Sequence, residues 1–358
     1  MKTSSIQDSK NELLSMTKGL GIILMVIGHS GCPSIIDNFI YMFHVPLFFI
    51  ISGVLFKDEK YLLTFKSNLL FVKRRVLNLY IPYVKYSLLF LLLHNSFFHI
   101  NIYNSIYGSH GSVSHLYGIE DYINMFISII TLRGTEQLLG GYWFIEDLFW
   151  GGVLYLVLMN FLKTSTIFIT SIIAGVFLHL LNEITPVGRF VLYLVTAMVF
   201  ISLGHLVKKH ILKTHSSSYI TAIILFFIVM LSSLLFPSAI GRVKWYMFVP
   251  FVICALCGTK MLYDLSFMIK KNKMVRDFLK VAGDNSFTIL TWHFLCFKIV
   301  NLIIIYLYNL PIEYLAYFPR ISDYSIKGWW LIYSLVGVFV PLCINVLIYH
   351  IREYRIIR

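Results

Sequence analysis

Apolar stretches of close to twenty residues recur along the chain and are separated by polar segments. They lie at about 13–30, 39–56, 79–98, 141–161, 165–182, 189–207, 218–236, 245–263, 286–307 and 328–350. A helix of about 20 apolar residues crosses the hydrocarbon core of a bilayer, which is about 30 Å thick. The pattern therefore predicts an all-α, polytopic transmembrane helical bundle with about ten spans.

The composition excludes a soluble globular protein. Of the 358 residues, 58% are hydrophobic and only 13% are charged. A soluble core could not hide so much apolar surface. Without an internal repeat, we expect one integral-membrane domain over residues 1–358, with a polar leader at about 1–12 and an outer loop at about 99–140. The first apolar stretch lacks the small-residue cleavage site of a signal peptide, so we expect it to stay in the membrane.

The basic residues favour one orientation and one kind of partner. About 21 of the 30 lysines and arginines fall in one set of alternate segments and about six fall in the other. Because cytoplasmic loops carry an excess of Lys and Arg, this bias predicts that both termini are cytoplasmic. The formal charge of +13 is spread over short clusters between apolar stretches. Such clusters suit a lipid bilayer with anionic headgroups, and we expect no nucleic-acid partner.

The cysteines do not indicate a metal site. Cys254 and Cys257 form a lone C-x-x-C inside an apolar stretch, without a second pair. A structural zinc site normally takes four ligands, so we interpret these residues as packing side chains and expect no bound metal.

The first apolar stretch contains two ionisable side chains, Lys18 and His29. Their separation of eleven residues is about three helical turns, which places them on nearly the same face and roughly 16 Å apart along the axis. Ionisable groups inside a span are costly and usually face the bundle interior or a water-filled cavity. A structural alternative is a histidine that hydrogen-bonds a neighbouring helix and a lysine that reaches the interface.

An ordered set of motifs resembles the acyltransferase 3 family of integral-membrane acyltransferases. The Lys-x10-His motif of Lys18 and His29 is followed by "FHVPLFFIISGVLF", the basic "FVKRRVLNLYIPY", "GGYWFIEDLFW" and "AGDNSFTILTWHF". The likeness is closest to the fucose 4-O-acetylase-like branch. Two positions depart from the family pattern. Lys18 stands where arginine is usual, and Asn78 stands where the Arg-x-x-Arg pattern beginning at Arg75 has its second arginine.

The resemblance implies transfer of an acyl group, usually acetyl, from cytoplasmic acyl-coenzyme A to a carbohydrate hydroxyl. The expected donor is acetyl-coenzyme A, and the expected acceptor is a cell-surface or exported carbohydrate, with a lipid-linked carbohydrate as one option. The expected location is the bacterial inner (plasma) membrane. His29 is the expected general base, because histidine exchanges a proton readily near neutral pH.

The same resemblance assigns binding residues. Lys73, Arg74 and Arg75 are expected to hold the phosphates of the donor, with help from Lys18. An alternative is that this cluster only sets the topology. Four further side chains are expected to contact the acceptor: His44, Ser52, Glu146 and His293. The alternatives are helix packing for Ser52 and interfacial solvation for Glu146.

Two other classes of protein share these features. A transporter or flippase for a lipid-linked sugar would also have many spans and a basic cytoplasmic face. It would be expected to show glycine- or proline-broken spans at paired positions of two halves, and the sequence lacks that pairing. A non-catalytic partner of a polysaccharide export complex is the third class.

Overall fold

The computed structural model describes residues 2–62, 64–108, 112–212 and 219–356, and these residues contain helices and no β-strand. The helices are α1 (Lys2–His29), α2 (Ser34–Tyr41), α3 (His44–Val54), α4 (Asp58–Tyr61), α5 (Phe65–Arg75), α6 (Ile81–His99), α7 (Ile119–Ile130), α8 (Trp143–Met159), α9 (Thr164–Ile184), α10 (Arg189–Ile211), α11 (Tyr219–Leu235), α12 (Phe248–Ile269), α13 (Lys273–Asp284), α14 (Ser286–Tyr308), α15 (Ser322–Tyr324) and α16 (Trp330–Ile356). Short 3₁₀ turns lie at Ser112–Ser114, Gln137–Tyr142, Trp245–Met247 and Ile312–Ala316, and π-helical turns lie at Val76–Tyr80 and Ser325–Trp329.

The prediction of a polytopic helical bundle is confirmed. Within the described residues, nine helical segments are long and apolar enough to cross a membrane: Lys10–His29, Ser34–Val54, Phe65–His99, Gln137–Met159, Thr164–Ile184, Arg189–Ile211, Trp245–Ile269, Ser286–Tyr308 and Ser322–Asn345. Each coincides with a predicted span. The remaining predicted span corresponds to α11, an apolar helix of 17 residues, which is at the lower limit of a spanning length.

Two segments outside the predicted spans contain helix. The predicted polar leader is helical from Lys2 and continues directly into the first span as part of α1. The predicted outer loop contains α7, whose apolar residues recur at helical spacing from Ile119 to Ile130. A helix of 12 residues is too short to register as a span, and this explains why the apolar pattern alone did not identify it.

The chain forms two compact units. Unit 1 comprises Met1–Met25, Ser34–Tyr80 and Phe144–Asp284, and unit 2 comprises Val26–Pro33, Ile81–Trp143 and Asn285–Arg358. Helix α1 contributes its longer first part to unit 1 and its last turn to unit 2.

In unit 1, α3 and α10 approach each other through glycine. A Cβ atom added to Gly53 would lie 1.9 Å from the carbonyl oxygen of Ile201, and one added to Gly204 would lie 2.1 Å from that of Ile50. The two backbones are therefore in direct contact, as is common where small residues line a helix interface in membranes. This contact fixes the position of Ser52 at the end of α3.

In unit 2, α14 packs against α16 and against the 3₁₀ turn Ile312–Ala316. A buried lysine secures that turn. Lys298 Nζ donates hydrogen bonds to the carbonyl oxygens of Leu315 and Tyr317, at 2.9 and 2.8 Å. Asn301 Nδ2 approaches the same two oxygens, and the Tyr333 hydroxyl donates to Asn301 Oδ1 at 2.6 Å. The loop after α14 is thus held by buried polar side chains.

Candidate active site

His29 and His293 form a hydrogen-bonded pair in unit 2. Nδ1 of His29 lies 3.0 Å from Nε2 of His293, and the two rings stack with centroids 5.2 Å apart. His29 is the last residue of α1 and is partly exposed, whereas His293 lies about two turns into α14 and is fully buried. The fold therefore brings together two of the predicted site residues that are 264 positions apart.

The neighbours of the pair determine which nitrogen carries each proton. Nδ1 of His293 faces the carbonyl oxygens of Ile289 and Leu290, at 3.1 and 2.9 Å. Because a carbonyl oxygen only accepts, this nitrogen is the N–H donor, and the neutral ring has its lone pair on Nε2. His29 Nδ1 then donates to that lone pair. The lone pair of neutral His29 is consequently on Nε2, the atom that can take a proton from a substrate hydroxyl.

Two side chains that the sequence did not single out also contact His29. The ring of Phe294 stacks on His29 with centroids 4.9 Å apart. Arg320 Nη1 donates to the carbonyl oxygen of His29 at 3.1 Å, and Arg320 Nε donates to Ser325 Oγ at 3.3 Å. A cation is favoured at this position because the carbonyl groups in the last turn of a helix lack intrahelical partners.

Space for Arg320 depends on Gly31. The φ angle of Gly31 is +82°, and a Cβ atom there would lie 1.9 Å from Arg320 Nε. A glycine two residues after the proposed base is therefore the sequence signal that could have pointed to a close neighbour. Arg320 is also one of about six basic residues in the predicted outer segments.

A second group of predicted residues meets in unit 1. Arg75 ends α5, and its Nη2 donates to Ser52 Oγ while its Nη1 donates to the carbonyl oxygen of Leu148, both at 2.6 Å. The guanidinium also lies 4.9 Å from the ring centre of Phe71. Arg75 Nε is buried and has no hydrogen-bond partner among the described residues, so its N–H remains an unused donor.

The other predicted cations do not join Arg75. Lys73 and Arg74 are exposed on the last turn of α5, and Arg74 Nη1 donates to the Tyr61 hydroxyl at 3.3 Å. Lys18 lies in the unit 1 part of α1 and is half-buried. Arg75 is therefore the inward-facing member of its cluster, and its two neighbours face outward.

His44 and Glu146 have structural partners in unit 1. Nδ1 of the buried His44 donates to the carbonyl oxygen of Ile40 at 2.9 Å, one turn earlier in the chain. Oε2 of the buried Glu146 accepts from Arg189 Nη2 at 3.4 Å. In the described parts of the chain, no group of three His, Cys, Asp or Glu residues is placed to hold a metal ion.

Comparison with known proteins gives one match. The model of the acyltransferase 3 family, described as "Acyltransferase domain", matches residues 12–350. The matched range contains the histidine pair, Arg75 and Arg320. No curated protein and no solved structure matches the chain.

Proposed function

Because the chain belongs to the acyltransferase 3 family and is an integral multi-pass membrane protein, we propose that it moves an acetyl group from acetyl-coenzyme A to a carbohydrate hydroxyl. The observation that carries the proposal is the bond from His29 Nδ1 to His293 Nε2. It directs the lone pair of His29 to the nitrogen that faces away from its partner. A sugar hydroxyl is a weak nucleophile, and a positioned base of this kind is what the reaction requires.

The proposed reaction is a direct transfer. His29 Nε2 takes the proton of the acceptor hydroxyl while the oxygen of that hydroxyl attacks the thioester carbonyl carbon. The carbon–sulfur bond then breaks, and the proton passes to the leaving thiolate, which gives an O-acetyl ester and free coenzyme A. While His29 is protonated, its Nδ1–H continues to donate to neutral His293, which stabilises the charge. The bond from Arg320 to the His29 carbonyl holds the end of α1.

For the donor, the proposal assigns different roles to the three cations of α5. Exposed Lys73 and Arg74 contact phosphate oxygens, and Lys18 assists. Arg75, already bound to Ser52 and Leu148, positions the end of the helix and offers its remaining donor. The predicted acceptor contacts of His44, Ser52 and Glu146 stay predictions. The proposed location is the bacterial inner membrane, with the donor entering from the cytoplasmic side.

Labelled acetyl-coenzyme A tests the reaction. Membranes that contain the wild-type chain, His29→Ala or no copy of the chain are incubated with the labelled donor, and the carbohydrate fraction is extracted. We expect label in carbohydrate only with the wild type, at equal levels of the two proteins in the membrane. A flippase or a non-catalytic partner would leave the carbohydrate unlabelled in all three samples, and that result would contradict the proposal.

Single cysteines test the orientation. In a variant whose five native cysteines are replaced, one cysteine at a time is introduced at Lys271 or Ser114. An impermeant thiol reagent added to intact cells should label the cysteine at 114 and not the one at 271, because the basic segments are predicted to be cytoplasmic. The opposite pattern would place the donor on the other side of the membrane.

A further inference from the structure

Three tyrosines from two separate segments of unit 2 meet outside the spans. Tyr107 stacks on Tyr317 with ring centroids 4.5 Å apart and planes at 24°. Tyr314 lies 4.8 Å from Tyr107 and 5.2 Å from Tyr317. All three side chains are partly exposed, and we refer to them as the tyrosine triad.

Buried polar groups fix the triad in place. Asn104 Oδ1 accepts from the backbone N–H of Tyr107 at 2.8 Å, and Asn104 Nδ2 donates to the Glu313 carbonyl oxygen at 2.9 Å. The turn that carries Tyr107 is therefore tied to the turn that carries Tyr314. From α14, Lys298 Nζ donates to the carbonyl oxygen of Tyr317. Burying a lysine side chain is costly in a membrane protein, and its hydrogen bonds to this turn hold the turn in one position.

The triad is continuous with the histidine pair. Phe318, which follows Tyr317, packs on Phe294 with ring centroids 4.7 Å apart, and Phe294 stacks on His29. Arg320, two residues further on, bonds the His29 carbonyl. One short segment of unit 2 thus carries two triad rings and two groups linked to the proposed base.

We propose that the tyrosine triad is the acceptor subsite and that it binds a neutral pyranose ring, an inference that rests on the proposed function. A tyrosine presents a flat apolar face and a polar edge. A pyranose has the same division, because its C–H bonds form an apolar face and its hydroxyls form a polar rim. Rigid tyrosine rings bind such a ligand with little loss of conformational entropy.

The charges around the triad favour a neutral sugar over an acidic one. Interaction with the Tyr314 hydroxyl, followed by smaller effects that include the Glu313 carboxylate, raises the pKa of Tyr107. Burial, Tyr314 and the Asp323 carboxylate raise the pKa of Tyr317. These two phenols therefore stay protonated at neutral pH and can donate to sugar oxygens. The two carboxylates can accept from sugar hydroxyls and would repel a uronic acid.

Tyrosine also occurs as an interfacial anchor among lipid headgroups, and this is the competing reading. Anchoring tyrosines act through their individual contacts with the headgroup region. The triad rings contact one another, and the bonds of Asn104 and Lys298 hold their backbones. This arrangement favours a shared binding face.

The test compares Tyr107→Ala with Tyr107→Phe, and Tyr306→Ala is the matched control because Tyr306 is 83% exposed on α14 and lies outside the triad. Saturation-transfer NMR with methyl glucopyranoside and methyl glucuronide measures binding to the purified protein without any transfer. Rates with labelled acetyl-coenzyme A and the same two glycosides give the KM values for donor and acceptor.

We expect wild type and Tyr306→Ala to bind the neutral glycoside and not the glucuronide. Tyr107→Ala should lose binding and raise the acceptor KM by about 3- to 10-fold, with the donor KM unchanged, and Tyr107→Phe should keep most of the affinity. Binding that depends on Tyr107 supports the subsite, whether or not label is transferred. An absence of transferred label would contradict the proposed reaction and not the subsite. Unchanged binding in Tyr107→Ala, or no binding to wild type, would overturn the subsite. A loss of membrane insertion with unchanged binding would establish the anchor.

Discussion

Unit 2 contains two histidine networks, and they differ in the hydrogen-bond partners of the ring nitrogens. In one, His29 Nδ1 donates to His293, a neutral ring. In the other, Nδ1 of the fully buried His94 lies 3.0 Å from Oε2 of Glu136, which is also fully buried, and Nε2 of His94 lies 3.1 Å from the His115 carbonyl oxygen. Both nitrogens of His94 therefore face oxygen atoms, whereas Nδ1 of His29 faces a ring nitrogen of His293.

The difference separates a base from a structural tie. Because both nitrogens of His94 face oxygen atoms of the protein, neither offers a lone pair to a substrate. Tyr117 stacks on this ring with centroids 3.4 Å apart. The contact between His94 and Glu136 joins α6 to the turn that precedes Gln137–Tyr142. A buried histidine in a span is therefore not catalytic by position alone. The partner of each ring nitrogen decides whether the ring can act as a base.

The largest expected effect comes from His29. His29→Asn and His29→Gln should lower the rate of acetyl transfer by about 10²- to 10⁴-fold at normal protein levels, because a positioned base contributes about that much. Both amides keep hydrogen-bonding ability and would rescue a purely structural histidine. His29 variants are compared with His99→Gln, at an exposed histidine that ends α6, by transfer rate and immunoblot. Substantial activity in His29→Gln would show that the ring is not the base.

Glu136→Gln should affect stability and spare the chemistry. Leaving a buried polar group without its hydrogen-bond partner typically costs about 1–3 kcal/mol, and the fraction that remains folded should transfer acetyl at the wild-type rate. Thermal unfolding in detergent measures the loss. Asp277→Asn is the control because Asp277 is exposed and its partner Arg276, 3.0 Å away, is its neighbour in the chain, and we expect its Tm to match the wild type. If Glu136→Gln has the same Tm as the wild type, the contact between His94 and Glu136 does not stabilise the fold.

A smaller effect is expected at His293, which we class as a positioning residue. His293→Phe keeps the ring volume but removes the acceptor for His29 Nδ1, so the proton of His29 is no longer directed to that nitrogen. We expect kcat to fall about 10- to 100-fold and the pH dependence of kcat to shift, with KM for the donor unchanged. His293→Gln, which retains an acceptor oxygen, should recover part of the rate. A loss confined to protein level would instead assign His293 to packing.

The smallest expected effect is at Tyr117. Tyr117→Leu removes the aromatic face from the His94 ring and should lower the free energy of unfolding by about 0.5–2 kcal/mol without altering the transfer rate. Tyr117→Phe keeps the face and should unfold close to the wild type. Equal losses in both variants would mean that the hydroxyl, rather than the stacked ring, stabilises this region.

The spans were predictable because a long apolar run is a local property of the sequence. The site was only partly predictable. His29 and His293 could each be selected as ionisable groups in spans, but their pairing joins residues 264 positions apart and depends on how α1 and α14 pack. Arg320 lies in the irregular segment between α14 and α16, where no periodicity predicts the direction of a side chain.

Helix geometry could have refined the prediction that the basic cluster on α5 holds the donor phosphates. Neighbouring residues of a helix point about 100° apart, so Lys73, Arg74 and Arg75 could not all face one ligand. The network of His94 and Glu136 was missed for another reason. His94 lies within the predicted span at 79–98, but its partner Glu136 lies outside every predicted span, and the apolar pattern is silent about polar side chains that become buried by folding.

The backbone contact between α3 and α10 has a consequence for how such a chain can diverge during evolution. Any side chain at Gly53 or Gly204 would push the two helices apart, and Ser52, the acceptor of the Arg75 bond, would move with the first of them. Descendants of this sequence should therefore keep glycine at both positions together or lose the Ser52–Arg75 bond. The exposed residues of α10, such as Phe190, Val191 and Leu206, lie outside this contact and can change while the crossing of the two helices is inherited unchanged.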